Sequence, residues 1–412
     1  MLSTRSSMFL SKKNPQAVTK DTGAFSSDFA YLELQSCYLD SACQTLRPQS
    51  VIDAETEYYL QYNACGGRVK YKWGTMVDQK VQKARKLLLQ LAGKSEKEYC
   101  VAFTLNTTYG INLVLHQLPT GAFTQIVTSE IEHNSVHLPS MTWAKRQKVE
   151  RRVLPREQDG SLRYVASDVE RSVVLLNLMS NIDGRILSNA RKLADDTHGA
   201  GGILLLDAAQ GFAHDVDSLR EVDFDAAFGS GHKMYGPSIG FIIIKRSLLD
   251  RLDPFFIGGG TVTDVESDSY SLLREGGEAH AVLEAGLQNW GGILGLGEAV
   301  RWIETQQANR NQEKALAETL YRGLQQQSRV HLFNQAPSPI VSFHVEGIDA
   351  HHLALYLSEQ DIMCRSGYFC CHSYLQHQLH LPPLLRVSLG LYNTPAHIEK
   401  FLGSFRTILS TL

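Results

Sequence analysis

Short apolar runs alternate with amphipathic segments from about residue 100 onward. A strand-like run occurs at residues 126–128, and continuous apolar runs occur at residues 173–176 and 203–206. Helix-like segments follow the first two of these runs, at residues 134–146 and 187–198. Strands that are apolar on both faces and are joined by helices are typical of a mainly parallel sheet. The pattern therefore predicts an α/β domain.

The pattern changes near residue 291. A long helix is predicted at about residues 296–327, and an apolar strand follows at residues 339–343. Two further strands are predicted at residues 363–364 and 386–389, before a last helix that begins at Pro395. This order of elements indicates a smaller α+β domain.

The length and the charge narrow the class of protein. The chain has 412 residues, which is enough for two domains, and we expect an N-terminal segment at 1–30, a large domain at 31–290 and a small domain at 291–412. The formal net charge of -3 gives no reason to expect binding to nucleic acid or to an anionic membrane. No apolar run reaches the roughly 18 residues of a membrane span.

The cysteines and the first 20 residues are used to predict the cellular compartment of the protein. The seven cysteines are odd in number and follow no metal-ligand spacing, so we expect free thiols and no metal site. The first 20 residues contain Ser, Lys and Arg and no acids, which faintly resembles a transit peptide and leaves organelle targeting open, but they lack the continuous apolar core of a secretory signal. Together these features predict a cytoplasmic protein with an N-terminal tail.

One lysine stands at a junction between two predicted strands. Lys233 lies in the segment SGHKMYGPSIGF, between predicted strands at residues 224–229 and 239–244. A lysine in such a place either pairs with a carboxylate or performs chemistry that needs a desolvated amine.

Two further charged residues occur in apolar strands. Asp207 follows the run at residues 203–206, and ligands of open α/β sheets bind at such carboxyl ends. An acid there can pair with the ring nitrogen of a pyridinium cofactor, or it can simply cap the strand. Arg386 needs a fixed anion, which could be a substrate carboxylate or a structural aspartate.

Other polar residues are suited to a phosphate or to a flat ring. Thr107 and Thr108 open a predicted helix, and helix N-termini with hydroxyl side chains bind phosphate well. Ser230 and His232 flank the lysine and could contact the same group. His133 follows a strand and could stack on a ring. Taken singly, each of these residues is as well explained by capping or packing.

Seven segments occur in one unbroken order and together carry a resemblance to a known family. They are TLNTTYGINL, EIEHNSVHLP, MSNIDG, LLLDAAQG, SGHKMYGPSIGF, EAGLQNWGGILGLGEA and RVSLGLYNT. This set resembles the class V, fold-type I pyridoxal-phosphate (PLP) enzymes. Within that group the chain is most similar to the cysteine desulfurase/selenocysteine lyase family, in its Suf-type (group II) branch.

The resemblance implies a fold, a cofactor and a quaternary structure. The fold would be that of the PLP-dependent transferases of fold type I, with a mainly parallel seven-stranded sheet and a smaller C-terminal α+β domain. The cofactor would be pyridoxal 5'-phosphate. The protein would be a homodimer, because sites of this fold type are generally built at a dimer interface.

The resemblance also implies roles for individual residues. Lys233 would form a Schiff base with PLP, Asp207 would pair with the ring nitrogen, Gln210 would contact the ring hydroxyl, and His133 would stack on the ring. Hydroxyl and imidazole groups would hold the phosphate: Thr107, Thr108, Ser230 and His232. The substrate carboxylate would be bound by Asn181, Arg365 and Arg386.

A cysteine near the C-terminus would decide the reaction. Arg365, Ser366, Gly367 and Cys370 match the Suf-type pattern R-[ST]-G-x-x-C without an insertion. The resemblance implies that Cys370 takes sulfur from L-cysteine as a persulfide, that L-alanine is released, and that the sulfur then passes to an acceptor protein. Without the resemblance, Cys370 could equally be a small apolar residue at a strand end.

Several positions depart from the pattern of this family. The departures are Tyr71 for histidine, Asn106 for glycine, Leu287 for threonine, Tyr368 and Phe369 for a polar pair, and Cys371 for a small residue. They leave open a class V aminotransferase, a C–S lyase acting on a cysteine-derived substrate, and a non-catalytic scaffold of the same fold. A nicotinamide dehydrogenase fits less well, because the glycines at 199–202 precede a strand and do not follow one.

Overall fold

The described part of the protein contains fifteen strands, seven of which form its central sheet. A computed structural model describes residues 28–29, 36–67, 69–274 and 276–411. The strands are β1 (Cys37–Tyr38), β2 (Tyr99–Thr104), β3 (Gln125–Ser129), β4 (Glu150–Leu154), β5 (Ser172–Asn177), β6 (Ile203–Asp207), β7 (Ala226–Ser230), β8 (Gly240–Lys245), β9 (Val262–Val265), β10 (Tyr270–Leu272), β11 (Val330–Leu332), β12 (Ile340–Val345), β13 (Ile362–Met363), β14 (Arg365–Gly367) and β15 (Leu384–Ser388).

Helices cover the sheets and connect most of the strands. They are α1 (Gln49–Gln61), α2 (Lys72–Leu91), α3 (Thr107–His116), α4 (Asn134–Gln147), α5 (Ala166–Val169), α6 (Ala190–Gly199), α7 (Gly211–His214), α8 (Val216–Arg220), α9 (Arg246–Leu249), α10 (Trp290–Glu304), α11 (Gln307–Gln325), α12 (Ala350–Ser358) and α13 (Pro395–Thr411). Shorter helical turns occur at Gly231–Lys233, Gly276–Leu283 and Ser373–Gln378.

The strand order of the large sheet is β2-β8-β7-β6-β5-β3-β4. Every neighbouring pair is parallel except the two pairs that β8 makes with β2 and β7. All residues of β5 and β6 are buried, as expected for strands covered by helices on both faces. The predicted seven-stranded, mainly parallel sheet is therefore confirmed.

A close backbone approach brings the start of α3 next to the end of β7. A Cβ atom on Gly240 would lie 2.5 Å from the backbone of Asn106, so only glycine fits at the start of β8. Asn106 is the N-cap of α3, and its side chain accepts a hydrogen bond from the Tyr109 amide (2.9 Å). The N-terminus of α3 consequently faces Ser230.

The second sheet is antiparallel and has the strand order β11-β12-β15-β14. The prediction of one helix over residues 296–327 is wrong, because α10 ends at Glu304 and α11 begins at Gln307. The buried side chains of α10 belong to the core around the large sheet, whereas those of α11 belong to the core around the second sheet. A single straight helix could not bury its apolar face in both cores. The bend at residues 305–306 turns the apolar face of α11 toward the second core.

The domain boundaries stay predictions. The predicted segment 1–30 lies outside the described residues except for residues 28–29. No helix in the described part of the chain combines the length and the apolar character needed to cross a membrane.

Candidate active site

A cavity of about 300 Å³ opens at the carboxyl edge of the large sheet. Every residue that the sequence analysis assigned to the site lines this cavity, with the exception of Gln210. These residues are Thr107, Thr108, His133, Asn181, Asp207, Ser230, His232, Lys233, Arg365, Cys370 and Arg386. Sequence reasoning missed Cys43 and Ser135, which also line the cavity, and Asp40, which pairs with two of the lining arginines.

The lysine and the acid come from neighbouring strands. Asp207 is the last residue of β6, and Lys233 ends the short turn that follows β7. Burial lowers the pKa of Lys233 and raises that of Asp207, and each group opposes the shift of the other. No ion pair involving Lys233 occurs among the described residues, so its amine remains available to a ligand.

Gln210 lies three residues after Asp207, immediately before α7, and does not line the cavity. Its amide nitrogen donates to the carbonyl of Ala42 (2.7 Å). Its amide oxygen is buried and has no hydrogen-bond partner in the described part of the protein. The contact of Gln210 with a cofactor hydroxyl stays a prediction.

Hydroxyl groups cluster at the N-terminus of α3. The Ser230 hydroxyl accepts from the Thr107 amide (3.0 Å) and lies 2.7 Å from the Thr107 hydroxyl. The Thr108 hydroxyl lies 2.6 Å from the hydroxyl of Ser135. Hydroxyl groups at a helix N-terminus favour an anion, so this end of the cavity suits a phosphate.

His133 immediately precedes helix α4 and lines the cavity. Its Nδ1 atom accepts a hydrogen bond from the Ser135 amide (3.0 Å), which makes it the N-cap of that helix. Burial and, to a smaller extent, the charges of Lys233 and Arg386 lower its pKa to about 3. His133 is therefore a neutral ring at physiological pH, as stacking on an aromatic ligand permits.

His232 is also held neutral. Burial, followed by the charge of Lys233 and that of Arg47, lowers its pKa to about 4. Its carbonyl accepts from the Thr45 amide (2.8 Å), so the turn that carries Lys233 is tied to the segment after β1.

Asp40 is the anion partner of both cavity arginines. Its carboxylate lies 3.2 Å from Arg386 Nη2 and 3.0 Å from Arg365 Nε. The sequence analysis left open a structural aspartate for Arg386, and Asp40 is that residue. The Nε atom of Arg386 is buried and has no partner within the described residues, so one donor of the guanidinium is left for a ligand.

Asn181 is engaged by the loop that carries the cysteines. Its side-chain nitrogen donates to the Phe369 carbonyl (2.9 Å), and its side-chain oxygen lies 3.5 Å from the Cys371 sulfur. The Asn181 carbonyl accepts from Arg386 Nη1 (2.9 Å). Binding of a substrate carboxylate by Asn181 stays a prediction, and in this arrangement it requires the amide to exchange partners.

The loop after β14 turns through unusual backbone conformations. Phe369 and Cys370 have φ values of 48° and 61°, a region that residues other than glycine seldom adopt. The Cys370 carbonyl accepts from the Asn134 amide (2.8 Å) at the start of α4, and the Phe369 ring lies 4.6 Å from the Arg386 guanidinium. These contacts fix the turn and leave the Cys370 side chain exposed at the cavity.

The adjacent cysteine has a different environment. Cys371 is buried, and burial raises the pKa of its thiol. A buried thiol of raised pKa is a poor nucleophile, so Cys371 is the less suited of the two thiols to attack a substrate, and the role of Cys370 stays a prediction.

Comparison with known proteins agrees with this geometry. The class-V aminotransferase family model matches residues 37–401, and the chain belongs to that family. Among its relatives, a probable cysteine desulfurase of Pyrococcus abyssi is 30% identical, and the alignment covers 91% of this chain and 94% of that protein. A cysteine desulfurase of Pectobacterium atrosepticum is 29% identical over 90% of this chain and 92% of that protein.

Solved structures give the same result for the fold. The apo cysteine desulfurase of Thermococcus onnurineus NA1 superposes with a TM-score of 0.84 at 30% identity, covering 92% of this chain and 95% of that one. An Escherichia coli cysteine desulfurase superposes with a TM-score of 0.83 at 25% identity, covering 94% and 98%. The predicted fold class, that of these PLP-dependent enzymes, is confirmed.

Proposed function

We propose that this chain is a PLP-dependent cysteine desulfurase that converts L-cysteine to L-alanine and stores the sulfur as a persulfide on Cys370. The observation that carries the proposal is that an exposed thiol, Cys370, lines the same cavity as Lys233 and Asp207. We assign the chain to the Suf-type branch because the residues from Arg365 to Cys370 follow the motif of that branch.

The residues of the cavity fit PLP. A volume of about 300 Å³ suits a small ligand, and the buried Gln210 oxygen and Arg386 Nε are polar atoms without partners in the described structure. Lys233 would hold the aldehyde carbon, Asp207 the ring nitrogen and the α3 N-terminus the phosphate. When bound, PLP supplies an electron sink that acidifies the Cα proton of an amino acid and labilises its β substituent.

Lys233 is suited to move that proton. Burial lowers its pKa, which increases the fraction of neutral amine that can accept a proton from Cα. The partner charge of Asp207 on the next strand opposes the shift, so the amine can also return a proton.

Cys370 provides the nucleophile for the sulfur. A bond forms between Cys370 Sγ and the substrate sulfur, the substrate Cβ–S bond breaks, and the carbon fragment is protonated to alanine. L-cysteine and one protein thiol thus give L-alanine and one persulfide, without an external oxidant.

We propose two partners besides the substrate. The turn that carries Cys370 is short and is fixed by the Asn134 amide, so an acceptor protein must come to the cavity to collect the sulfur. Association into a homodimer is supported by apolar side chains that stand exposed on the isolated chain, among them Leu287 (78% exposed) and Phe255 (63% exposed). The cytoplasmic location stays a prediction from the sequence.

The test measures alanine formed from L-cysteine in the presence of PLP and a thiol reductant. Wild type is compared with Cys370→Ser and with Cys65→Ser, a control at an exposed cysteine outside the cavity. We expect alanine from the wild type and the control and a loss of at least about 100-fold in Cys370→Ser, because a hydroxyl cannot replace a thiolate as the sulfur acceptor.

Two results would contradict the proposal. Equal alanine formation in wild type and Cys370→Ser would mean that sulfur leaves without Cys370, as in a C–S lyase. An absence of alanine from the wild type, with PLP bound, would favour a class V aminotransferase and would call for a screen of amino donors.

A further inference from the structure

A second thiol, Cys43, lines the cavity from the segment after β1. The segment is fixed on both sides. The Ala42 amide donates to the Ser388 hydroxyl (2.9 Å), and the Thr45 amide donates to the His232 carbonyl (2.8 Å). Cys43 is therefore held between the turn that carries Lys233 and the second sheet.

Cys43 and Cys370 share this cavity, and the other five cysteines do not line it. The positive charge of Lys233 interacts with both sulfurs, and the charges of Arg365 and Arg386 interact with Cys43. The thiolate is the form of a thiol that attacks a persulfide.

An unsatisfied donor also belongs to a residue that lines the cavity. Arg386 is only 2% exposed, and its Nε atom has no hydrogen-bond partner among the described residues. A persulfide anion held in the cavity is a suitable acceptor for this donor. The two thiols and the arginine that carries this donor thus line one cavity.

We propose that Cys43 accepts the outer sulfur of the Cys370 persulfide. The inference rests on the proposed function, because Cys370 must first acquire the sulfur. The Cys43 thiolate attacks the outer sulfur, a new S–S bond forms on Cys43, and the S–S bond on Cys370 breaks. Cys370 leaves as a thiolate and takes the proton that Cys43 gave up, so the transfer consumes no oxidant or reductant.

The consequence is a second turnover before any acceptor arrives. With Cys370 restored, another L-cysteine can react while the first sulfur stays on Cys43. A protomer then stores two sulfur atoms instead of one.

The experiment uses the PLP-loaded protein with excess L-cysteine and without a reductant. The reaction is quenched with an alkylating agent, the peptides with Cys43 and Cys370 are examined by mass spectrometry, and alanine is counted. We expect the added sulfur on both cysteines and a burst of about two alanines per protomer in wild type and Cys65→Ser, but about one in Cys43→Ala, with sulfur on Cys370 alone.

The location of sulfur in wild type shows whether Cys43 accepts it from Cys370, even if Cys43→Ala fails to fold. Sulfur on Cys370 alone, with a burst of about one alanine, would overturn the relay and leave the desulfurase proposal intact. Sulfur on Cys43 in Cys370→Ser would mean that Cys43 acts directly on the substrate, which also overturns the relay. Neither alanine nor added sulfur in wild type would overturn the proposed function itself.

Discussion

The two sides of the cavity are built in different ways. On the sheet side, Asp207 and Ser230 end parallel strands, and Lys233 follows in a tight turn. On the thiol side, Arg365 and Cys370 belong to a short strand and an irregular turn, which are held by side-chain contacts to Asp40 and Asn181 and by a backbone hydrogen bond to Asn134.

The difference separates the residues proposed to bind the cofactor from the residues proposed to handle sulfur. The carboxyl edge of a parallel sheet is a common ligand site, and the sheet side matches the family pattern apart from Asn106. Phe369 and Cys371, which are two of the departures from that pattern, lie on the thiol side. We infer that variants of the sheet side affect cofactor binding, whereas variants of the thiol side affect the arrangement of arginines and sulfur.

The largest expected effect belongs to Lys233. Lys233→Ala should lower alanine formation by about 100-fold or more, because a positioned proton-transfer group contributes about that much to a rate. Borohydride reduction should attach PLP to the wild-type peptide that contains Lys233 and to no peptide of the variant. The borohydride readout tests the sheet side without involving the thiols.

Lys233→Arg is the matched control. It keeps a positive charge near Asp207 but cannot form an imine, so it should lose covalent PLP and activity as Lys233→Ala does. Recovery of activity in the arginine variant would show that only the charge matters, and would contradict the assigned role.

The next effect concerns the thiol side. Asp40→Asn removes the counter-charge of Arg386, whose side chain is 3% exposed, and of Arg365. We expect the free energy of unfolding to fall by about 2–4 kcal/mol, because an unpaired buried charge is costly. Denaturant unfolding measures this loss.

Glu157→Gln is the control for Asp40→Asn, since it removes an exposed partner from the pair with Arg163 (3.3 Å). Such a pair contributes no more than about 1 kcal/mol. Equal losses in the two variants would mean that Asp40 does not support a buried charge, and the contrast between the two sides would then weaken.

The sheet side was predictable from the sequence for a physical reason. Continuous apolar runs identify buried parallel strands, and such strands bring their carboxyl ends to one edge, so Asp207 and Lys233 could be placed together. The Asp40–Arg386 pair joins residues that are 346 positions apart, and no local pattern indicates it. The left-handed backbone at Cys370 and the bend after α10 likewise depend on tertiary contacts that periodicity does not report.

The smallest expected effect is the pH dependence due to His133, which faces both sides. Its pKa of about 3 in the folded protein lies below the unfolded value of about 6.5, so the unfolded state binds more protons below pH 6.5. The contribution of His133 therefore lowers stability as pH falls from about 6.5 toward 3, by up to about 1.4 kcal/mol per pH unit.

The variant His133→Asn tests this contribution, because asparagine can still cap α4 and cannot titrate. Stability is measured without PLP by denaturant unfolding at pH 7 and at pH 5, and the stability of the variant should fall less than that of wild type. Other titrating groups are common to the two proteins and cancel in the difference. Parallel losses would mean that His133 is protonated in the folded state, and would remove the argument that a neutral ring faces the cavity.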